Sequence, residues 1–440
     1  MTSFDLAVVG GGPTGLATVL AAQALAPSWR VLWYRGRQPG FVPAYAGLHP
    51  VHRLNVPVER MGLDAAQPVD FLDWLQARHP ERGVRPGDFV PRTWFGDYLE
   101  ARQAGLRGPP ALDARPQDLQ GVVPSKGQWR LITADGNEAH ARRVALCLGL
   151  PGGQAPAAAP AHWIADPWAW WRALPEGPLP LAARDEVLLV GSGLTAVDLA
   201  LGLRARGFAG SIRAVSPRGH WSLPHAPTPP LPAAALAALD AELTGAGRAR
   251  RLFRLLREAA AHHPWRAVLD ALRPATNRYW AALPLVEQAR LLRHGFGPWN
   301  RHRHRMAPDV RATLDADAGL RLERGRILVD AEGRLWRRHA GHEEAIDAAL
   351  VLDCRGPAFR AAMQGEGLLA RLVRAGVLDV HPLGTGVCTP ADASLAVLGA
   401  ARFGEAFETL AIPELRQQAV DTVRRWLEPE AAGDRPSAPK

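Results

Sequence analysis

The sequence predicts an α/β protein made of two nested Rossmann-like dinucleotide-binding domains with a helical insert. Three observations predict it. A glycine-rich turn between an apolar strand and an amphipathic helix occurs twice, in residues 4–16 (FDLAVVGGGPTGL) and 185–197 (DEVLLVGSGLTAV). Each copy is followed by a further strand, as a βαβ unit requires. A last strand–turn–helix segment near the C-terminus belongs to neither copy and is placed to close a domain opened at the start.

The first unit reads as strand Phe4–Val9, helix Thr14–Ala26 and strand Arg30–Arg35, with glycines at Gly10, Gly12 and Gly15. The second reads as strand Val187–Val190, helix Thr195–Arg206 and strand Ser211–Val215, with Gly191, Gly193 and, in the third place, Ala196. The first glycine permits the tight turn, the second lets backbone approach a pyrophosphate, and the third lets helix and strand pack closely. The helix then presents unpaired N–H groups and its positive dipole end to the phosphates. Two such sites on one chain imply two nucleotide cofactors, and a chain holding two usually moves electrons between them.

Between the units, Gly40–Arg92 is rich in Pro, Gly and His with one helix at Val69–Arg78, and a second amphipathic helix spans Thr93–Gln103. Residues 128–148 alternate as a hairpin about Asp135-Gly136 and end on Gly149. Pro151–His162 reads as a linker. Ala233–Arg257 and Ala267–His294 have helical spacing and form the insert. A second hairpin, Arg326–Arg337, turns at Glu332-Gly333, and Ala348–Gly356 is another apolar strand ending on glycine. The last unit runs from Leu395–Gly399 to the helix Pro413–Leu427. The expected domains are 1–180 (first part of the outer domain), 181–340 (inner domain, insert about 232–310) and 341–427 (second part of the outer domain), with a disordered tail at 428–440.

The net charge of +9 looks like a nucleic-acid signature until it is divided: lysine occurs only at Lys126 and Lys440, leaving 50 of the 52 basic residues as scattered arginines. No basic stripe interleaved with aromatics exists, so no nucleic-acid partner is expected. Cys147, Cys354 and Cys388 are far apart in apolar stretches and read as small buried hydrophobes. No CxxC pair supports dithiol chemistry, and no stretch approaches a membrane span, so a cytoplasmic protein without membrane contact is expected. Nothing in the pattern points to an oligomeric state.

The second site gives the sharper chemical reading. The position 20 residues beyond Ala196 is Ser216, followed by Pro217 and Arg218. An acid there would accept from a ribose 2′-OH and repel a 2′-phosphate; a hydroxyl with a guanidinium favours the phosphate. NADPH is therefore expected rather than NADH, against the plain alternative that Arg218 is a solvated surface residue. His302 and His304 stand two apart, a poor spacing for helical metal ligands, so no metal is expected. They read as solvated residues or as residues facing the cleft or a cofactor. His49, His52 and His225 are loop residues near the expected flavin and nicotinamide. The tryptophans Trp163, Trp168, Trp170 and Trp171 read as packing between domains. Glu414 reads as a first-turn helix charge.

Leu54-Asn55-Val56-Pro57, Phe89-Val90-Pro91-Arg92 with Phe95-Gly96-x-Tyr98-Leu99, and Gly191-x-Gly193-Leu194-Thr195-Ala196-Val197-Asp198 carry a family resemblance. So do Ser216-x-Arg218-Gly219 with Pro224-His225, His302-Arg303-His304-Arg305-Met306, and Glu408-Thr409-x-Ala411-Ile412-Pro413-Glu414. Over nearly its whole length the chain resembles the bacterial FAD/NAD(P)-binding proteins of the YdhS type, themselves similar to flavin-dependent N-hydroxylating monooxygenases. The resemblance implies an FAD domain split around an NADP domain. It places FAD against Gly10, Gly12 and Gly15, with Asn55 near the flavin and Gly149 and Gly399 closing around it; NADPH lies on Gly191, Gly193, Ala196, Ser216 and Arg218. The chain departs from the pattern at Arg35, where the family has a carboxylate for the adenosine ribose, in the loop Pro39–Tyr45, which lacks a glycine, and at Arg355, where a small residue is usual. Either Arg35 or Arg37 then contacts the adenosine half differently, or the affinity for FAD is reduced.

Flavin chemistry asks little of side chains: the cofactors carry the electrons, and the protein positions them and orients a substrate. No catalytic triad is visible, and no catalytic residue is assigned. The expectation is an FAD-containing, NADPH-using oxidoreductase, a monooxygenase of a small molecule, with N-hydroxylation of an amine or amino acid suggested by the resemblance. Two alternatives stand beside it: an NADPH-dependent flavin reductase or dehydrogenase, and a non-catalytic nucleotide-binding redox sensor, for which Arg35 is the argument.

Overall fold

The structure of the protein, a computed structural model, describes residues 3–37, 45, 47–175 and 177–428. Most of the expected loop 39–45 and the expected tail beyond 428 lie outside them. The first sheet begins with β1 (Phe4–Val9), an apolar run buried on both faces, which flows through the glycine turn into the helix Pro13–Leu25 and back into β2 (Val31–Tyr34). β3 (Leu112–Arg115) extends it beyond β2, and β6 (Glu138–Leu146) pairs with β1 on the other side, all parallel. β4 (Leu119–Ser125) and β5 (Gln128–Thr133) form an antiparallel meander on the N-terminal half of β6. The C-terminal half of β6 takes β15 (Leu395–Val397) in parallel register, Leu395 opposite Val144.

The second sheet repeats this plan. β8 (Glu186–Val190) is central, β9 (Ser211–Ser216) and β10 (Leu320–Arg324) lie to one side, and β14 (Leu350–Asp353) and the short β7 (Trp163–Ile164) to the other, all parallel. Its meander is β11 (Arg326–Val329), β12 (Leu335–His339) and β13 (His342–Ile346). The expected domain boundary at 340/341 falls inside this meander, where His339 pairs with His342, and β14 belongs to the second sheet. The reason is physical: an apolar strand ending on glycine suits either sheet, and only long-range pairing chooses between them. The chain returns to the first unit after β14, where Phe359, Met363 and Leu372 join the same core as Leu32, Val144 and Val397.

Each sheet is covered on both faces by apolar side chains, as parallel sheets require. The insert has a core of its own around Leu243, Leu252, Val268, Leu272 and Trp280. Its two long expected helices are broken into shorter ones, the first at residues 245–248 between Ala233–Thr244 and Ala249–His262, the second at Pro284 before Leu285–Arg290. A proline cannot continue the helix before it, which fixes the second break, while Gly245 and Gly247, the latter at φ +61°, end the first helix.

Candidate dinucleotide sites and a charged cleft

The two glycine turns have one geometry. Gly10 stands at φ +126° and Gly191 at φ +124°, a region that side-chain-bearing residues rarely enter. A Cβ on Gly10 would fall 2.1 Å from the Cys147 carbonyl, and one on Gly191 2.7 Å from that of Cys354. Cys147 and Cys354 occupy matching positions, each donating its N–H back to the central strand, to Val9 at 2.7 Å and to Val190 at 2.9 Å. Both thiols are buried, which raises their pKa, Cys147 to about 12, so neither is a nucleophile at neutral pH.

Each turn delivers an uncapped helix. Gly12 and Gly193 are the N-caps, neither supplies a side-chain hydrogen bond, and neither first turn holds an acid. The free N–H groups and the dipole make both ends anion sites without a competing carboxylate. Around Gly193 a Cβ would meet nothing within 4 Å, so the turn is open to a phosphate. Ala196 is fully buried in the second helix; Gly15 in the first must be small, because its Cβ would lie 2.0 Å from the Gly10 carbonyl.

At the end of β2, Arg35 holds the edge of the first site. Its guanidinium lies 5.8 Å from the Trp33 ring centroid, and its buried Nε has no hydrogen-bond partner among the described residues. Trp33 Nε1 donates to the Gly10 carbonyl at 2.9 Å, pinning the turn. Gly399 faces the start of the first helix, where its Cβ would lie 3.0 Å from Thr14 Oγ1. Thr409 Oγ1 donates to the Gly399 carbonyl at 2.8 Å, and Gln418 bridges the two, accepting from the Gly399 N–H and donating to Thr409. Gly149 is exposed beyond β6 at φ +73°. Uncapped amides, the close backbone approach and an unpartnered guanidinium nitrogen fit a dinucleotide's diphosphate and polar adenosine end.

At the second site Ser216 is buried and its hydroxyl is engaged, accepting from Ser192 Oγ at 2.9 Å and from the Gly219 N–H at 3.1 Å. It shapes the turn that carries Arg218. Arg218 is exposed and donates to the His294 carbonyl at 2.8 Å, which ties the end of β9 to the insert.

A cleft of about 860 Å³ opens between the first unit and the insert. Asn55 stands beside it: its carbonyl meets His225 Nε2 at 3.0 Å, and the His225 ring lies 4.8 Å from that of Phe89. Burial, with Arg305 nearby, lowers the His225 pKa to about 4, so the ring is neutral and donates to the Asn55 carbonyl through Nε2. The lining carries both charge signs, Arg53 and Arg305 facing Asp309 and Asp270.

Several motif residues serve the joints instead. His52 is buried, edge-on to Trp168 and Trp171, and packs on the second unit at Gly202. Burial lowers its pKa to about 3. Arg92 and Asp198 form an ion pair across the units at 2.6 Å. His302 lies edge-on to Trp265 in an apolar pocket of the insert, and the half-buried His304 bonds Asn300, so neither faces the cleft. Glu414 is in a first turn, but its main partner is Arg273, at 2.5 and 2.7 Å, while Arg303 meets Glu408 at 2.8 Å. Burial raises Glu414, yet the Arg273 hydrogen bonds together with the charges of Arg273 and Arg303 outweigh it and hold the carboxyl below its ordinary range. Sequence reasoning missed these pairs because each partner lies in a different segment; the only local signal was a charged residue inside an otherwise apolar motif.

A family model described as FAD-NAD(P)-binding matches residues 7–151. An FAD-dependent urate hydroxylase of Xanthomonas campestris pv. campestris is 28% identical over 207 residues, 44% of this chain. The match spans 41% of that protein's length. Among solved structures, an FAD-bound cadaverine monooxygenase of Erwinia amylovora superposes with a TM-score of 0.63 at 14% identity, over 97% of this chain and 94% of that one. The ornithine N-hydroxylase of Kutzneria sp. 744, with reduced FAD, NADP+ and L-ornithine, gives 0.60 at 15% identity, over 96% and 98%. The chain has the fold of flavin-dependent monooxygenases and carries an FAD/NAD(P)-binding domain.

Proposed function

We propose that this chain is an FAD-dependent, NADPH-using monooxygenase of a small molecule, with N-hydroxylation of an amine or amino acid as the favoured chemistry. The observation that carries it is the pair of matched, uncapped glycine turns, Gly10 and Gly191, on a chain that also holds a cleft lined by both arginines and carboxylates. A zwitterionic substrate suits such a lining. The finer kinship with the YdhS-type proteins rests on the quoted motifs, and this reading divides the chain into an FAD unit of 3–150 and 359–427 around an NADP unit of 163–353.

When bound, FAD would supply electron acceptance from the nicotinamide and the activation of oxygen. The chain's own residues then do the rest. The amides after Gly12 and Gly193 hold the diphosphates, Arg35 meets the adenosine end of FAD, and Asn55, Gly149 and Gly399 border the flavin. Arg218 meets the 2′-phosphate of NADPH; Ser216 sets its turn. The neutral His225 and Phe89 wall the substrate side and limit water.

A second reading comes from the urate hydroxylase relative: carbon hydroxylation of an anionic heterocycle, favoured by Arg53, Arg60, Arg82 and Arg305 around the cleft. Purified protein should be yellow with FAD, bleach anaerobically with NADPH, and on readmitting oxygen yield hydroxylated product from ornithine, cadaverine or urate. Peroxide alone with every substrate would favour a reductase, and a protein colourless after incubation with FAD would favour a sensor; either outcome overturns the proposal. Arg218→Ala should raise the KM for NADPH more than that for NADH.

A further inference from the structure

We propose that the helical insert carries a second ligand site, separate from the cleft, for a single-chain amphipathic anion with a carboxylate head. A pocket of about 830 Å³ lies within the insert. Protein interiors are close-packed, and a cavity of this size falls in the range of about 300–1,000 Å³ typical of small-molecule sites. Its walls are apolar: Phe253 and Leu256 from one helix, Val268 and Leu269 from the next, and Leu291 and Trp299 opposite.

Two further features point to a ligand. The wall at Leu291–Gly295 is a π-helical turn, an irregularity found frequently at functional sites. Its Gly295 abuts the Phe253 ring, where a Cβ would fall 2.3 Å away, so the wall sits as close as backbone allows. The rim is basic. Arg248, Arg250 and Arg257 are exposed and make no ion pair among the described residues, while the one carboxylate, Glu287, is occupied by Arg290 and the Ala249 N–H. An apolar trough under unpaired guanidinium groups suits an alkyl chain ending in a carboxylate.

The pocket does not merge with the cleft. Trp265 lines the pocket, Arg305 lines the cleft, and the guanidinium lies 5.7 Å from the indole centroid, the two forming a partition. The inference therefore stands apart from the flavin reading and is tested on the protein as purified, with its flavin content recorded.

Titration calorimetry with octanoate, decanoate and dodecanoate, each below its micelle concentration, should show saturable binding. Affinity should rise about three- to fourfold per added methylene until the pocket is filled. Dodecyltrimethylammonium should bind at least about tenfold more weakly than dodecanoate, since the rim repels it. Ala260→Trp, at the exposed mouth, should abolish uptake with unfolding by urea unchanged. Arg250→Glu with Arg257→Glu should weaken dodecanoate about tenfold or more while leaving dodecanol binding in place. Equal binding of anion and cation, or full binding by the Ala260→Trp protein, would overturn the proposal. So would a concentration-dependent dimer without fatty-acid uptake, which would make this face a contact between copies.

Discussion

The Arg92 guanidinium lies 2.6 Å from the Asp198 carboxylate, joining the motif before one helix to the helix of the other glycine turn. The contact is one of charge, with alignment short of a hydrogen bond at that oxygen. Arg92 is anchored from behind, donating through Nε to the Arg53 carbonyl at 2.9 Å. Both side chains are nearly out of water, and burial raises the Asp198 pKa to about 6 with Arg92 opposing the rise.

Arg92→Ala should cost about 3–5 kcal/mol, because it leaves a buried carboxylate without its counter-charge. An acid whose pKa is higher folded than unfolded loses stability as pH rises through that interval. The Arg92→Ala penalty, read by urea unfolding, should therefore be larger near about pH 8 than near about pH 5. Arg92→Met combined with Asp198→Leu should recover most of the loss; a double variant no better than Arg92→Ala would refute a paired role.

Gly10→Ala and Gly193→Ala should separate folding from cofactor binding. The first puts a Cβ against the Cys147 carbonyl at 2.1 Å, so the turn must move and bound flavin should fall on purification. The second meets open space within 4 Å, so its melting temperature should hold while KM for NADPH rises about tenfold or more. Unchanged NADPH kinetics in Gly193→Ala would remove the diphosphate from that turn.

His304→Gln should flatten the acid side of the stability profile. Burial, aided by Arg303 and Arg273, lowers the His304 pKa from 6.5 to about 3, so it is neutral in the folded chain. The unfolded chain takes up a proton first as pH falls. The stability is whole above 6.5 and is lost toward 3, at up to about 1.4 kcal/mol per pH unit. Glutamine can keep a hydrogen bond to Asn300 and cannot titrate. Urea unfolding at several pH values should show one fewer proton taken up on unfolding; an identical slope would contradict the burial.

Thr409→Val should loosen the turn at Gly399. It removes the hydroxyl that donates to the Gly399 carbonyl and accepts from Gln418. A loss of about 1–3 kcal/mol is expected from the unsatisfied buried groups. Faster release of FAD on dialysis should accompany it, with Thr409→Ser restoring retention. Loss of stability without any change in flavin release would confine this network to folding.

The sequence made the glycine turns legible because their requirements are local. A turn near φ +125° and a helix without a capping side chain are written into a few adjacent residues, and observed bounds fall within one residue of the expected ones at Pro13–Leu25 and Leu194–Ala205. The hairpins about Asp135-Gly136 and Glu332-Gly333 were legible for the same reason. Not legible were Arg92 with Asp198, Arg303 with Glu408, and Arg218 with His294, since each partner arrives from a distant segment. For Ser216 the residue type pointed toward a phosphate, while the fold turned its hydroxyl to Ser192.

Local pattern by itself determined that this chain holds two strand–glycine–helix units, because hydrophobic period and turn chemistry act over a dozen residues. Only the tertiary structure decided that β14 joins the second sheet, and that the insert encloses an arginine-rimmed pocket beside Trp265. The reason is that an apolar strand or an exposed arginine is chemically indifferent to its partner. Sheet membership and pocket walls are settled by which distant surfaces remain to be buried once the local units have formed.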